Sequence, residues 1–197
     1  MLSELGTEYV DLVLVHWPGA AKTPPGSEAN AELRLQTWRV LEDFYRRGKF
    51  RAIGVSNYEV EHLSELLSVA AVPPAVNQFE CHPRRPAHAL RAACAAAGVA
   101  AVAYASLGCG QLLREPTVAA AADAAGVPPA ALLLRWGLEQ GCAVIPKSVD
   151  PRRVRAFAEP ALLSSDVWGR REAADALSRL EALDDGHKFC WDPQGIR

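Results

Sequence analysis

A chain of 197 residues, half of them hydrophobic, lies in the range of a single domain and can bury a substantial core. Its 21 Lys and Arg against 23 Asp and Glu leave a formal charge of -2, too weak a field to attract nucleic acid or an anionic membrane surface. Five cysteines without a C-x-x-C pair argue against a disulfide framework or a zinc motif and fit a reducing, cytoplasmic location.

The opening residues have neither the basic start nor the apolar core of a signal peptide, and nowhere do about 18 apolar residues run together, so secretion and membrane spanning are not expected. The first apolar run, 10–16, is followed by others at 51–56, 75–80, 99–105 and 143–146. Each is too short for an average helix and most are rich in Val or Ile, which predicts strands. Their apolar residues are mostly contiguous, as in strands covered on both faces of a parallel sheet.

Between these runs lie helical patterns. Residues 29–47 carry Leu35, Trp38, Leu41 and Tyr45 at helical spacing and stop at Gly48. Val60, Leu63 and Leu67 mark a second helix, 87–97 a third before Gly98, and 129–140 a further one opened by Pro129 and closed by Gly141. The alanine-rich stretches 92–97 and 119–125 read as helix, not low complexity. Alternating strand and helix is the mark of βαβ units, so the fold class expected is α/β with a parallel sheet or barrel, undivided by any linker. The loop 18–28, with three prolines and two glycines, is the longest stretch without a pattern and follows a strand end, where such loops carry function.

Reactive side chains gather at the C-terminal end of every expected strand: His16; Ser56 and Asn57; Gln78, Glu80 and His82; Tyr104 and Ser106; Lys147 and Ser148. In a parallel barrel these ends converge on the face that bears active sites. Each residue also has a plain structural reading. His16 is either a satisfied buried histidine or a group for acid-base work and carbonyl polarisation. Lys147 suits a phosphate contact or a Schiff base. Tyr104 suits stacking on a planar ring or a core position with its hydroxyl at the rim. Cys81 and His82 lack a second pair at ligand spacing, so no metal site is expected.

Read in order, the segments 5–18 (ending His16-Trp17-Pro18), 48–58 (ending Gly-Val-Ser-Asn-Tyr), 74–83, 103–108, Leu134-Arg135-Trp136 and 144–149 resemble the aldo-keto reductases, nicotinamide-dependent carbonyl reductases. The resemblance implies a partial (β/α)8 TIM barrel of about five βα units, the family's strands 4 to 8, forming one incomplete domain over 1–197. His16 corresponds to the active-site histidine that orients the substrate carbonyl, and Trp17 to a wall of the substrate pocket. Ser56, Asn57 and Gln78 match the groups that hold the nicotinamide carboxamide, and Tyr104 the ring that stacks on it. Leu107 and Gly108 match the loop passing the pyrophosphate. Lys147, Ser148 and Arg153 match contacts to the adenosine 2′-phosphate, which implies NADP(H) in preference to NAD(H).

The chain departs from the family pattern at three places. Ala105-Ser106 stands where the family has Ser-Pro, and Ala156 and Phe157 stand where a Glu-Asn pair touches adenine. The family's first three strands, with the catalytic aspartate, the proton-donating tyrosine and its lysine, have no counterpart. The function implied is reduction of a small aldehyde or ketone with NADPH, by a shortened and catalytically impaired form that self-associates through open barrel edges. The other reading is a non-catalytic nucleotide-binding remnant or interaction protein.

Overall fold

The computed structural model describes residues 2–158 and 165–197. After a single helical turn, α1 (Leu2–Leu5), strands and helices alternate: β1 (Val10–Val15), α2 (Ala29–Arg46), β2 (Phe50–Ser56), α3 (Val60–Val69), β3 (Val76–Glu80), α4 (His88–Ala96) and β4 (Ala100–Tyr104). Two short 3-10 turns lead into α5 (Pro116–Ala125) and α6 (Pro129–Glu139), then β5 (Ala143–Val144) and α7 (Pro151–Phe157); α8 (Ser165–Trp168) and α9 (Arg171–Arg179) follow, with a 3-10 turn at Leu180–Leu183 after them.

All five expected strands are present, and they form one sheet in the order β1-β2-β3-β4-β5, with parallel registers such as Leu14↔Gly54 and Ser56↔Gln78. The fold class is therefore α/β with a parallel sheet. β5 is shorter than the apolar run 143–146. Its ladder extends as far as the Ile145 N–H, which donates to Ala103 O at 3.4 Å, and then meets Pro146, which has no N–H to continue it. Among the described residues no single helix is long and apolar enough to cross a membrane.

The chain forms two compact units: Met1–Phe79, His88–Ala101 and Asp192–Arg197 make one, and Glu80–Ala87 with Val102–Trp191 the other. The core of the first is Trp38, Phe50, Ile53, Val55, Tyr58 and Leu66, with Val10, Val13, Val15, Leu35, Leu41 and Phe44 packed against it. In the second, α5, α6 and α9 pack together through Ala121, Ala122, Ala125, Leu132, Leu133, Ala173 and Ala176, all buried. The alanines leave room for close helix approach, which explains why these stretches are so poor in larger side chains.

Helix α2 buries Trp38 and packs Leu35 and Leu41 against the core, in line with their spacing, but its fully buried stripe is not apolar throughout. Its buried residues are Asn30, Arg34, Trp38 and Glu42, one helical stripe that is mostly polar, while Tyr45 is exposed. Each polar member is matched to backbone or charge, as burial demands. Asn30 accepts from Ala20 N at 2.9 Å and donates to Pro24 O and Pro25 O, so the 18–28 loop is pinned from the helix. Glu42 accepts from the N–H groups of Ala71 and Val72, and Arg34 pairs with Glu65 at 2.6 Å.

Gly54 marks a place where strands pack closely. A Cβ there would lie 2.7 Å from Leu14 Cδ2 and 2.7 Å from the carbonyl oxygen of Val76. Leucine can swing away, but the backbone oxygen belongs to β3. We expect Gly54→Ala to lose about 1–3 kcal/mol, the usual cost of overpacking, as a lowered urea midpoint at unchanged slope. An unshifted midpoint would mean that β3 yields freely.

Candidate active site

In the first unit the strand ends bring four of the expected residues together. His16 follows β1, Ser56 ends β2, Asn57 comes next, and Gln78 lies in β3 opposite Ser56. The Ser56 hydroxyl donates to Gln78 O at 2.8 Å, and the Asn57 N–H donates to the same oxygen at 2.8 Å. The Asn57 side chain donates to His16 O at 2.9 Å and to Ser56 Oγ at 3.1 Å. Three strand ends are thus tied by two side chains that are both buried.

This network gives Asn57 a structural role besides any ligand contact. Its φ is +63°, in the left-handed region that asparagine enters more readily than most residues, so it turns the chain sharply out of β2. The Ser56 proton is committed to a main-chain carbonyl, which leaves the hydroxyl oxygen, not its hydrogen, for a partner. His16 is exposed, so the buried-histidine reading is corrected: only its carbonyl is engaged by the network. An imidazole on the open end of a strand keeps its ring available.

Trp17 leads into Gly19, where an added Cβ would meet Ile196 at 3.3 Å and Trp17 Cδ1 at 3.4 Å. The tail packs here. Ile196 O lies 2.8 Å from His62 Nε2, Arg197 O accepts from Arg34 at 2.8 Å, and the Arg197 N–H donates to Pro25 O at 2.9 Å. Nothing in the sequence pattern foretold this, because the tail has no period and is held through its backbone.

In the second unit Tyr104 ends β4 half-buried, and its carbonyl accepts from Cys81 N at 3.3 Å. Ala105 turns at φ +51°, and Ser106 is buried with its hydroxyl on Ala103 O at 3.3 Å. The serine that stands in the Ser-Pro position is therefore turned into the loop's own backbone. Gly108 has no substitute: its φ is +56°, and a Cβ would lie 2.6 Å from Leu112 Cγ and 2.7 Å from Phe189 Cε2. The Leu107–Gly108 turn is held close to both.

Past β5, Lys147 is exposed and Ser148 half-buried. Ser148 Oγ accepts from Asp150 N at 3.1 Å and from Arg153 Nε at 3.1 Å. Asp150 caps α7 by accepting from Arg152 N at 2.8 Å. That N–H and the Arg152 guanidinium, with Arg153 beyond, hold the Asp150 carboxyl below its ordinary pKa against a small opposing effect of desolvation. The cap thus occupies Arg152 and aims Arg153 back at Ser148. Ala156 is exposed and Phe157 half-buried at the end of the same helix.

Two strand-end residues have structural work instead. Glu80 and His82 are buried, with His82 Nε2 2.9 Å from Glu80 Oε1. Glu80 also accepts from the N–H groups of Phe189 at 2.6 Å and Cys190 at 3.3 Å. Burial pushes the Glu80 pKa up, but His82 and these two N–H groups outweigh it and hold the carboxyl below its usual value. The His82 and Phe189 rings lie 4.9 Å apart.

Comparison with known proteins bears on the whole set. The aldo/keto reductase family model matches residues 1–176. An aldo-keto reductase of Mycolicibacterium vanbaalenii is 38% identical over 193 residues, covering 98% of this chain and 63% of its own length. Glyoxal reductase of Bacillus subtilis is 36% identical over 195 residues, covering 99% and 64%. Among solved structures, the apo form of Gox0644 superposes with a TM-score of 0.80 at 31% identity, over 98% of this chain and 65% of that one. A Bombyx mori aldo-keto reductase in complex with NADP gives 0.77 at 27% identity, over 96% and 62%. The chain spans less than two thirds of the length of the curated relatives it matches. With the family model matching nearly nine tenths of its length, the chain belongs to the aldo/keto reductase family.

Proposed function

We propose that the chain binds NADP(H) and contributes the cofactor side of an oxidoreductase that reduces a small aldehyde or ketone in the cytoplasm, acting as one reductase domain. The observation that carries this is the donor set after β5: Arg153 Nε donates to the Ser148 hydroxyl, the exposed Lys147 immediately precedes that serine in the chain, and the neighbouring Arg152 is already engaged by Asp150. Two cations and a hydroxyl are the donors a phosphate monoester needs, and an adenosine 2′-hydroxyl would leave the cations without a partner. Relatives of this fold have been solved with NADPH or NADP bound.

When bound, the dinucleotide supplies the two electrons of the reduction. The chain's own residues hold and orient. Ser56, Asn57 and Gln78 present hydrogen-bonding groups to the carboxamide, with Ser56 offering its lone pair. Tyr104 offers a flat face for stacking, Leu107 and Gly108 carry the backbone past the pyrophosphate, and Lys147, Ser148 and Arg153 meet the 2′-phosphate. His16 orients the substrate carbonyl and Trp17 lines its pocket. We further propose that these 197 residues taken alone are catalytically impaired. Among the described residues β1 pairs only with β2 and β5 only with β4, so both present an edge through which copies of the chain associate.

The test is a titration of the chain with NADPH and NADH, followed by quenching of tryptophan fluorescence. NADPH should bind more tightly, and Lys147→Met should weaken NADPH by more than about tenfold, since a charge-assisted phosphate contact contributes roughly 1.5–3 kcal/mol, while leaving NADH nearly unchanged. Equal affinity for the two in the parent chain would overturn the assignment. Failure to bind either would favour the reading as an interaction protein that retains only the fold.

A further inference from the structure

We propose that Cys109 and Cys190 are a modification site, a thiol pair that hydroperoxides oxidise to an intramolecular disulfide. Their sulfurs lie 4.0 Å apart although 81 positions separate them in the chain. Both belong to the same compact unit. The other cysteines, Cys81, Cys94 and Cys142, are buried, so this is the pair that solvent-borne oxidants reach.

The two members are held differently. Cys190 is half-buried and fixed from behind, because Glu80 accepts its N–H and that of Phe189, and Phe189 lies against His82. Cys109 is exposed and sits between Gly108 and Gly110, all three at positive φ. For cysteine that conformation is strained, and the flanking glycines make it the movable partner. A disulfide brings the sulfurs to about 2 Å, so Cys109 has to advance by about 2 Å toward a stationary Cys190.

The chemistry also assigns an order. Burial first, then the Glu80 carboxylate and Cys109 itself, push the Cys190 thiol up to about 12, so at neutral pH it stays protonated and reacts poorly with peroxide. Cys109 reacts first. Its thiolate attacks the peroxide O–O bond; an S–O bond forms, the O–O bond breaks, and an alcohol or water leaves, giving a sulfenic acid. Cys190 sulfur then attacks Cys109 sulfur, the S–S bond forms, the S–O bond breaks, and water departs with the Cys190 proton. Two thiols and one hydroperoxide become a disulfide, an alcohol and water, with two electrons passing to the peroxide.

The reduced chain is treated with one equivalent of hydrogen peroxide, quenched with catalase, alkylated in denaturant and digested with trypsin without reduction. Mass spectrometry should find peptide 92–114 joined to peptide 189–197 through Cys109 and Cys190, with Cys81, Cys94 and Cys142 alkylated. A non-reducing gel should show the linked species as monomer. Cys190→Ser should stop at a Cys109 sulfenic acid captured by dimedone, and Cys109→Ser should leave Cys190 alkylated. Oxidation of Cys190 in the Cys109→Ser variant, a link found only between two chains, or unmodified Cys109 after treatment would each overturn the proposal.

Discussion

Purified by themselves, the 197 residues are expected to consume NADPH with a reactive aromatic aldehyde at least about 100-fold more slowly than a typical enzyme. Reduction of a carbonyl builds negative charge on its oxygen, and a positioned general acid contributes roughly 100- to 10,000-fold by protonating it. On the proposed reading, these residues contribute the family's histidine alone, at His16. Its carbonyl is fixed by Asn57, but its ring is exposed, so neither its tautomer nor its reach to a substrate oxygen is set. The check is the loss of NADPH absorbance beside an enzyme-free control. Turnover near the ~10 per second common among enzymes would overturn the expectation and mean that another side chain of this polypeptide supplies the proton.

Glu80→Ala is expected to be the most damaging single stability change in the second unit, at about 3–5 kcal/mol. The carboxylate collects the Phe189 and Cys190 N–H groups and His82 in a buried position, and its removal leaves all three donors without an acceptor. The pH dependence has a definite sign. Since the folded pKa of Glu80 lies below its unfolded value of about 4.3, the unfolded chain binds the proton more readily. The stabilisation is therefore complete above that pH and disappears as pH falls through the folded value. Urea unfolding across this acidic range should show a steeper decline for the parent than for Glu80→Ala. Parallel curves would exclude Glu80 as the titrating group.

The fold was largely legible because its signals are local. Apolar runs bounded by polar groups placed the five described strands, and Gly48, Gly98 and Gly141 marked the ends of α2, α4 and α6. What escaped depends on partners distant in the chain. The stripe Asn30, Arg34 and Glu42 looks like a solvated helix face until loop carbonyls, Glu65 and the N–H groups of Ala71 and Val72 are brought to it. Glu80 and His82 resembled site residues because they sit at a strand end, yet Glu80 binds the backbone of a segment more than a hundred positions away and His82 pairs with Glu80. Backbone donors carry no residue identity, so no motif announces them. The candidate site residues stand out through their order along the chain, whereas the inward turn of the Ser106 hydroxyl and the commitment of the Ser56 proton emerge only in the folded chain.

The anchoring of the 18–28 loop by Asn30 has a thermodynamic consequence. Asn30 lies in the first turn of α2, the part of a helix with the fewest internal bonds, so the turn and the loop share one local opening equilibrium. Fraying the turn releases the loop, and anything that orders the loop adds its free energy to the helix. The conformational entropy of the segment beside His16 and Trp17 is thereby governed by a helix that contains neither residue.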